Sequence, residues 1–189
     1  MSLRVCVRLS VLVFLILASA PSVARSAEEQ PQATPDPWRH LRRLVGTWQG
    51  AIDGPLGTGT GSRTYEFVLR DRYLMARHSS VRLPQPKSPK GDNHEEIAIF
   101  SHDRSRDTIV LRQFVVEGFV NEYDCVTGPD SVVCTTTHVE GMEGISARWT
   151  VWFMDGYAFE ERFELAWPGE TSRALFDRNR WTRVPDASR

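Results

Sequence analysis

The sequence predicts an all-β protein, a single antiparallel up-and-down barrel of about ten strands with a short N-terminal helix. Three observations lead to this. From Gly46 onward the apolar residues recur at period two, the spacing of a strand that turns one face inward. Turn signals break the pattern about every ten residues. No connection is long enough for a Greek-key crossover, and a meander of this many strands closes most simply on itself, which removes edges open to aggregation. A two-sheet sandwich is the competing arrangement.

Composition sets the outer bounds. The 189 residues carry 23 Lys+Arg against 24 Asp+Glu, a net charge of −1, which fits one globular domain or at most two small ones. A balance this even lacks the concentrated positive field that phosphate contacts require, so no nucleic-acid partner is expected.

Taken in order, residues 1–24 read as a secretory signal peptide. Arg4 and Arg8 precede an apolar run from Leu9 to Ala18, and small residues follow in Ala18-Ser19-Ala20 and Ser22-Val23-Ala24. The run is too short to cross a bilayer of roughly 30 Å, so no membrane span is expected in the mature form. Cleavage is expected after Ala24, with Ala20 as the alternative, and the product should be periplasmic or secreted. Losing Arg4 and Arg8 leaves 21 cations against 24 anions, a net −3. Residues 25–35, polar and containing Pro31 and Pro35, read as a disordered lead-in, and 36–185 as the barrel domain.

The helix is expected to start at Asp36 as N-cap with Pro37 in first position, to place Trp38, Leu41 and Leu44 on one face, and to stop before Gly46. Strands are predicted at 45–52, 60–69, 73–83, 94–101, 107–116, 119–126, 131–139, 145–154, 157–166 and 171–183. Between them lie signals such as Asp53-Gly54-Pro55, Asp71-Arg72, Glu117-Gly118, Gly128-Pro129-Asp130, Asp155-Gly156 and Pro168-Gly169. The one long connection, Pro84 to Asn93, reads as a flexible rim or lid. Barrels of this strand number can enclose a small ligand instead of filling with side chains.

Cys125 and Cys134 bracket the Gly128-Pro129-Asp130 turn. A turn centred between Pro129 and Asp130 sets them directly opposite each other, and in an oxidising compartment they should form a cross-strand disulfide stabilising by about 2–3 kcal/mol. A redox role is disfavoured, because there is no Cys-x-x-Cys and no helix start to lower a thiol pKa.

A short helix leading into Gly46-Thr47-Trp48-Gln49-Gly50 and then a strand meander resembles the calycin superfamily, the group of lipocalins and fatty-acid-binding proteins. His94-Glu95-Glu96-Ile97-Ala98-Ile99-Phe100 and Val116-Glu117-Gly118-Phe119-Val120-Asn121 look closest to the nitrobindin-like haem-binding branch and its uncharacterised bacterial relatives. The resemblance covers residues 38–183. It implies structural roles for Gly46 and Trp48, with Trp48 closing the barrel base under a last-strand arginine drawn from Arg178, Arg180 and Arg183, of which Arg180 is the residue chosen. Such a stack contributes roughly 0.5–2 kcal/mol. The resemblance also raises haem as a cofactor. The nitrobindin-like iron ligand is a histidine near the start of the last strand, and Trp167 to Arg183 contains none, so haem would need His78 or His138.

The candidate ligand-binding residues are Glu161, Arg112, Tyr123 and Arg148. In 157–166 the odd positions Tyr157, Phe159, Phe163 and Leu165 form an apolar face, and Glu161 lies on it. A buried carboxylate must be paired or carry a raised pKa. Arg112, sharing a face with Val110 and Phe114, is the expected partner, or a receptor for a ligand carboxylate; a structural ion pair that fixes the register is the alternative. Tyr123 shares a face with Phe119 and Asn121, and Arg148 lies among Trp149 and Trp152. No metal site is expected: His94-Glu95-Glu96 is not the His-Glu-x-x-His pattern, and on a strand only His94 and Glu96 share a face. Gly54 to Gly61 lacks the Lys and the helix of a phosphate loop. No Gly-x-Ser-x-Gly elbow occurs.

These readings together predict a non-enzymatic exported barrel holding a small apolar or amphipathic ligand in its interior. The alternatives are a haem or nitric-oxide-handling protein, and a barrel isomerase or cyclase using Glu161 as acid–base and Arg112 as electrophile. Strand alternation carries no information on oligomeric state.

Overall fold

The computed structural model of the chain describes residues 36–185. The signal peptide and lead-in expected over 1–35 lie outside the described residues. Ten antiparallel strands form a closed barrel: β1 (Gly46–Gly54), β2 (Gly57–Val68), β3 (Tyr73–Arg82), β4 (Asp92–Asp103), β5 (Thr108–Val115), β6 (Val120–Thr127), β7 (Ser131–Val139), β8 (Ser146–Phe153), β9 (Ala158–Ala166) and β10 (Ala174–Arg183). Each strand pairs with its sequence neighbours, and β1 closes the ring on β10 from Trp48 opposite Arg183 to Asp53 opposite Arg178. The up-and-down barrel is therefore the arrangement formed, and the sandwich is not.

The N-terminal helix is a correction. Asp36 does cap as expected, its Oδ1 accepting from the Trp38 N–H at 3.0 Å, but only a 3₁₀ turn over Leu41–Leu44 follows. Between Asp36 and the strand that begins at Gly46 there is too little chain to repay the nucleation of an α-helix. The turn still does the packing job, since Trp38, Leu41 and Leu44 are buried against the closed end.

That end is an apolar plug. Trp48, Leu74, Phe100, Leu111, Val132, Val151, Phe159 and Trp181 are buried there, and Trp48 meets Phe159 edge-on at 4.7 Å. The arginine over Trp48 is Arg183, at 4.2 Å from the ring, and this corrects the choice of Arg180. Arg183 lies directly across from Trp48 in the β1–β10 register, whereas Arg180 is exposed and faces Glu160 at 3.8 Å. Arg183 also donates to the backbone carbonyls of Val45, Arg43 and Gly156, tying the 3₁₀ turn and the β8–β9 turn to the barrel base. Gly46 has φ +122°, and a Cβ there would collide with the Arg183 guanidinium, so the glycine is set both by backbone and by that clamp.

Gly50 serves Trp181 in the same way. A Cβ on Gly50 would stand 2.6 Å from Trp181 Cε3, and one on Gly61 would stand 3.1 Å from Cη2. The indole thus fills space that two missing side chains leave. Gly50→Val is expected to destabilise the barrel by about 1–3 kcal/mol, the usual range for overpacking. Urea unfolding checks it, and an unchanged midpoint would mean that Trp181 has room to move.

Cys125 and Cys134 are directly opposite each other on β6 and β7, with Cα atoms 4.0 Å apart, and are joined as a disulfide. The Pro84 to Asn93 connection, read as a flexible rim or lid, spans residues 83–91 between β3 and β4 and carries hydrogen bonds of its own. Gln85 exchanges backbone bonds with Ser88, and its side chain accepts from Thr58 N–H at 2.9 Å and donates to Thr58 O at 2.8 Å. In an up-and-down barrel alternate connections share an end, so 55–56, 83–91, 116–119, 140–145 and 167–173 all surround one mouth.

Candidate functional site

Above the apolar plug the interior changes character. A cavity of about 430 Å³ opens between the strands at the mouth end, within the range of small-molecule sites. Its upper wall is apolar, with Leu56, Phe119, Met142, Ile145, Phe163, Leu165, Trp167 and Phe176. Its floor is charged and comes from the inward positions of β2, β3, β4 and β9: Arg63, His78, His94, Glu96 and Glu161. A bulge between Leu175 and Asp177 shifts the register of β10, so that Phe176 and Asp177, adjacent in sequence, both reach the cavity.

Glu161 is 2% exposed and fully provided with donors. Its Oε2 accepts from Arg63 Nη1 at 2.7 Å and from Trp149 Nε1 at 2.9 Å, and its Oε1 accepts from Asn179 Nδ2 at 2.8 Å. Burial alone would push the carboxyl up, but the Arg63 charge and the two neutral donors outweigh it and hold the group below the usual carboxylate range. Glu161 is thus an ionised, paired group. An acid–base catalyst would need the opposite, an unpaired carboxyl with a raised pKa.

Arg63 is the partner the sequence reading missed, and its surroundings explain the choice. Its guanidinium lies 4.6 Å over the Trp181 ring, donates to Tyr65 Oη at 3.3 Å, and stands 3.2 Å from His78 Nδ1 and 3.7 Å from Glu96 Oε1. Only a planar group with donors on several edges can serve stack, fork and network together. Tyr65 is pushed up to about 12 by burial, against the pull of Arg63.

Glu96 sits directly across from His78 in the β3–β4 register. Burial would raise it, yet hydrogen bonds to His78 and His94 and the Arg63 charge hold it well below the ordinary carboxylate range. Contact with Glu96, aided by Glu117, raises His94 to about 9 despite partial burial, while burial and the Arg63 charge lower His78. Nearer the mouth, Arg82 bridges Asp92 at 3.1 Å and Asp177 at 2.9 Å. The lining therefore holds five acids, Asp92, Glu96, Glu117, Glu161 and Asp177, against Arg63 and Arg82, with His94 as a third cation when protonated.

The remaining predicted site residues are placed elsewhere. Arg112 points outward and pairs with Glu122 at 2.8 Å, so it neither meets Glu161 nor reaches the cavity. On β5 the inward residues are Ile109, Leu111, Gln113 and Val115; the apolar Val110 and Phe114 that suggested the other parity lie on the outer face. Arg148 is also outside, in a two-pronged pair with Glu164 at 2.8 and 2.9 Å, an exposed arrangement contributing about 0–1 kcal/mol. Tyr123 does face inward, but it is packed in the plug beneath the cavity, with a hydroxyl that has no hydrogen-bond partner among the described residues; burial and nearby Glu96 push it up. Of the two histidines considered for haem, His138 is exposed on β7 and only His78 lines the cavity.

No family model matches the chain, and no curated protein matches it. Among solved structures it is similar to one described as EF1p2_mFAP2b bound to DFHBI, at 14% identity, over 79% of this chain and 100% of that chain, with a TM-score of 0.34. A likeness at that score carries no argument about ligand or activity.

Proposed function

We propose that the protein is an exported barrel that binds a small amphipathic ligand in the mouth cavity. The observation that carries this reading is the division of the cavity into an apolar wall and a charged floor. An apolar tail would lie among Phe119, Phe163, Trp167 and Phe176, and a polar end would reach Glu96, Gln113 and Asn121. The excess of acids at the floor favours a neutral or cationic head group over a carboxylate, which reverses the preference expected from an inward Arg112. The pairing of Glu161 supports binding over acid–base chemistry. Export is supported by the apolar run of residues 9–18 and the joined cysteines; N-terminal sequencing of the protein recovered outside the cytoplasm should begin at Arg25.

A displacement assay with a fluorescent amphiphile tests the binding. A long-chain alkylamine is expected to compete at least tenfold better than the fatty acid of equal length, and Trp167→Ala should weaken the amine about five- to thirtyfold through lost apolar contact. Equal competition by both, or none by either at about 100 µM, would remove the reading.

A further inference from the structure

We propose that His78, His94 and Glu96 form a binding site for one divalent zinc-class metal ion on the cavity floor. Sequence order hides this site, because His78 belongs to β3 while the other two belong to β4. The register joins them: Glu96 is opposite His78, and His94 lies two residues before Glu96 on the same inward face. One donor atom from each residue lies within 4.8 Å of the other two. Two of the separations are already those of ligands sharing an ion. His78 Nδ1 stands 3.5 Å from Glu96 Oε1 and His94 Nε2 stands 3.6 Å from Glu96 Oε2. Bonds of about 2.0–2.2 Å in tetrahedral geometry set ligand atoms roughly 3.3 Å apart.

The surroundings support the assignment from two further sides. His94 Nδ1 is engaged by Glu117 Oε1 at 3.0 Å, the carboxylate–histidine arrangement that fixes the ring and leaves Nε2 for an ion. His78, with its side chain more than nine-tenths buried, turns Nδ1 toward Glu96. Arg63 is close, 3.2 Å from His78 Nδ1, but its charge is answered by Glu161 at 2.7 Å, and the acid excess of the lining remains for a dication. Two histidines and one carboxylate would leave at least one position of a tetrahedral ion open to a further ligand.

The inference stands apart from the amphiphile reading, since its test uses the metal alone. Zn²⁺ titrated calorimetrically into the chelator-treated protein should bind once per chain with Kd of about 10 µM or tighter. His94→Gln and Glu96→Gln should each weaken it at least tenfold, and Glu117→Gln about tenfold, with unchanged circular dichroism. His94 is partly exposed, so its variant keeps the test valid where His78→Gln fails to fold. Co²⁺ should give a visible absorption that the His94 variant loses. The proposal fails if Zn²⁺ does not bind at about 100 µM, or if one ion still binds with parent affinity in both the His94 and Glu96 variants, as surface histidines would produce.

Discussion

Arg63→Met is expected to remove about 3–5 kcal/mol of stability, the cost of leaving a buried carboxylate without its cation. Glu161 would keep only the Trp149 and Asn179 donors, and neither neutralises it. The double variant Arg63→Met, Glu161→Leu should recover most of the loss, because an apolar pair of similar volume avoids both desolvation penalties. Acid provides a second readout. In the parent chain Glu161 is held below its unfolded value, so the pair stabilises fully above the ordinary carboxylate range and its contribution fades as pH falls through and below that range. In Arg63→Met only the two neutral donors oppose desolvation, and the carboxyl should titrate higher than in the parent chain. The variant's deficit should therefore shrink as pH is lowered towards about 4. Urea midpoints from pH 7 to pH 4 measure both effects; a loss under 1 kcal/mol at pH 7 would mean that cavity water solvates Glu161 without help.

This pair also shows where the sequence could be read and where it could not. The ten strands were legible because the plug half of the barrel alternates cleanly, and Glu161 stood out because Phe159 and Phe163 flank it on one face. The charged floor was harder. Along β3 the inward residues run Leu74, Ala76, His78, Ser80, Arg82, apolar at the closed end and polar at the cavity. Period two survives, but its hydrophobic sign fades halfway along the strand, so inward polar residues look like outward ones. Arg63 did carry a signal, since Gly61, Tyr65 and Phe67 share its parity. Arg112 stands out more strongly as a partner for Glu161, because it lies on a strand whose two faces are both apolar. The cluster of His78 with His94 and Glu96 depends on cross-strand register, which no local spacing contains. Among the three candidates Arg178, Arg180 and Arg183 the sequence offers no way to choose, because which arginine meets Trp48 is set by the closure register of β1 on β10.

Trp181→Ala is expected to cost about 3–5 kcal/mol, in the range of buried aromatic truncations. Its consequences should extend beyond stability, because Trp181 is the piece of the plug on which the floor rests. The ring carries Arg63 on one face at 4.6 Å, meets the edge of His78 at 5.4 Å, and stacks on Phe159 at 6.1 Å. Gly50 and Gly61 offer nothing to fill the space it leaves. Trp181→Phe should be much milder, about 1–2 kcal/mol, since the indole Nε1 has no hydrogen-bond partner among the described residues and its loss removes no bond. Trp48→Ala supplies the comparison. It removes an equally buried indole that donates to Leu44 O at 2.7 Å and stacks under Arg183; it lies opposite Arg63 in the β1–β2 register, but the Arg63 guanidinium rests on the Trp181 ring instead. Both alanine variants should therefore unfold at similarly lowered urea concentrations, while only Trp181→Ala also weakens amphiphile binding under conditions where it is still folded. Equal binding by the two would mean that Arg63 and His78 are held by their own ion pairs and that the aromatic support beneath them is dispensable.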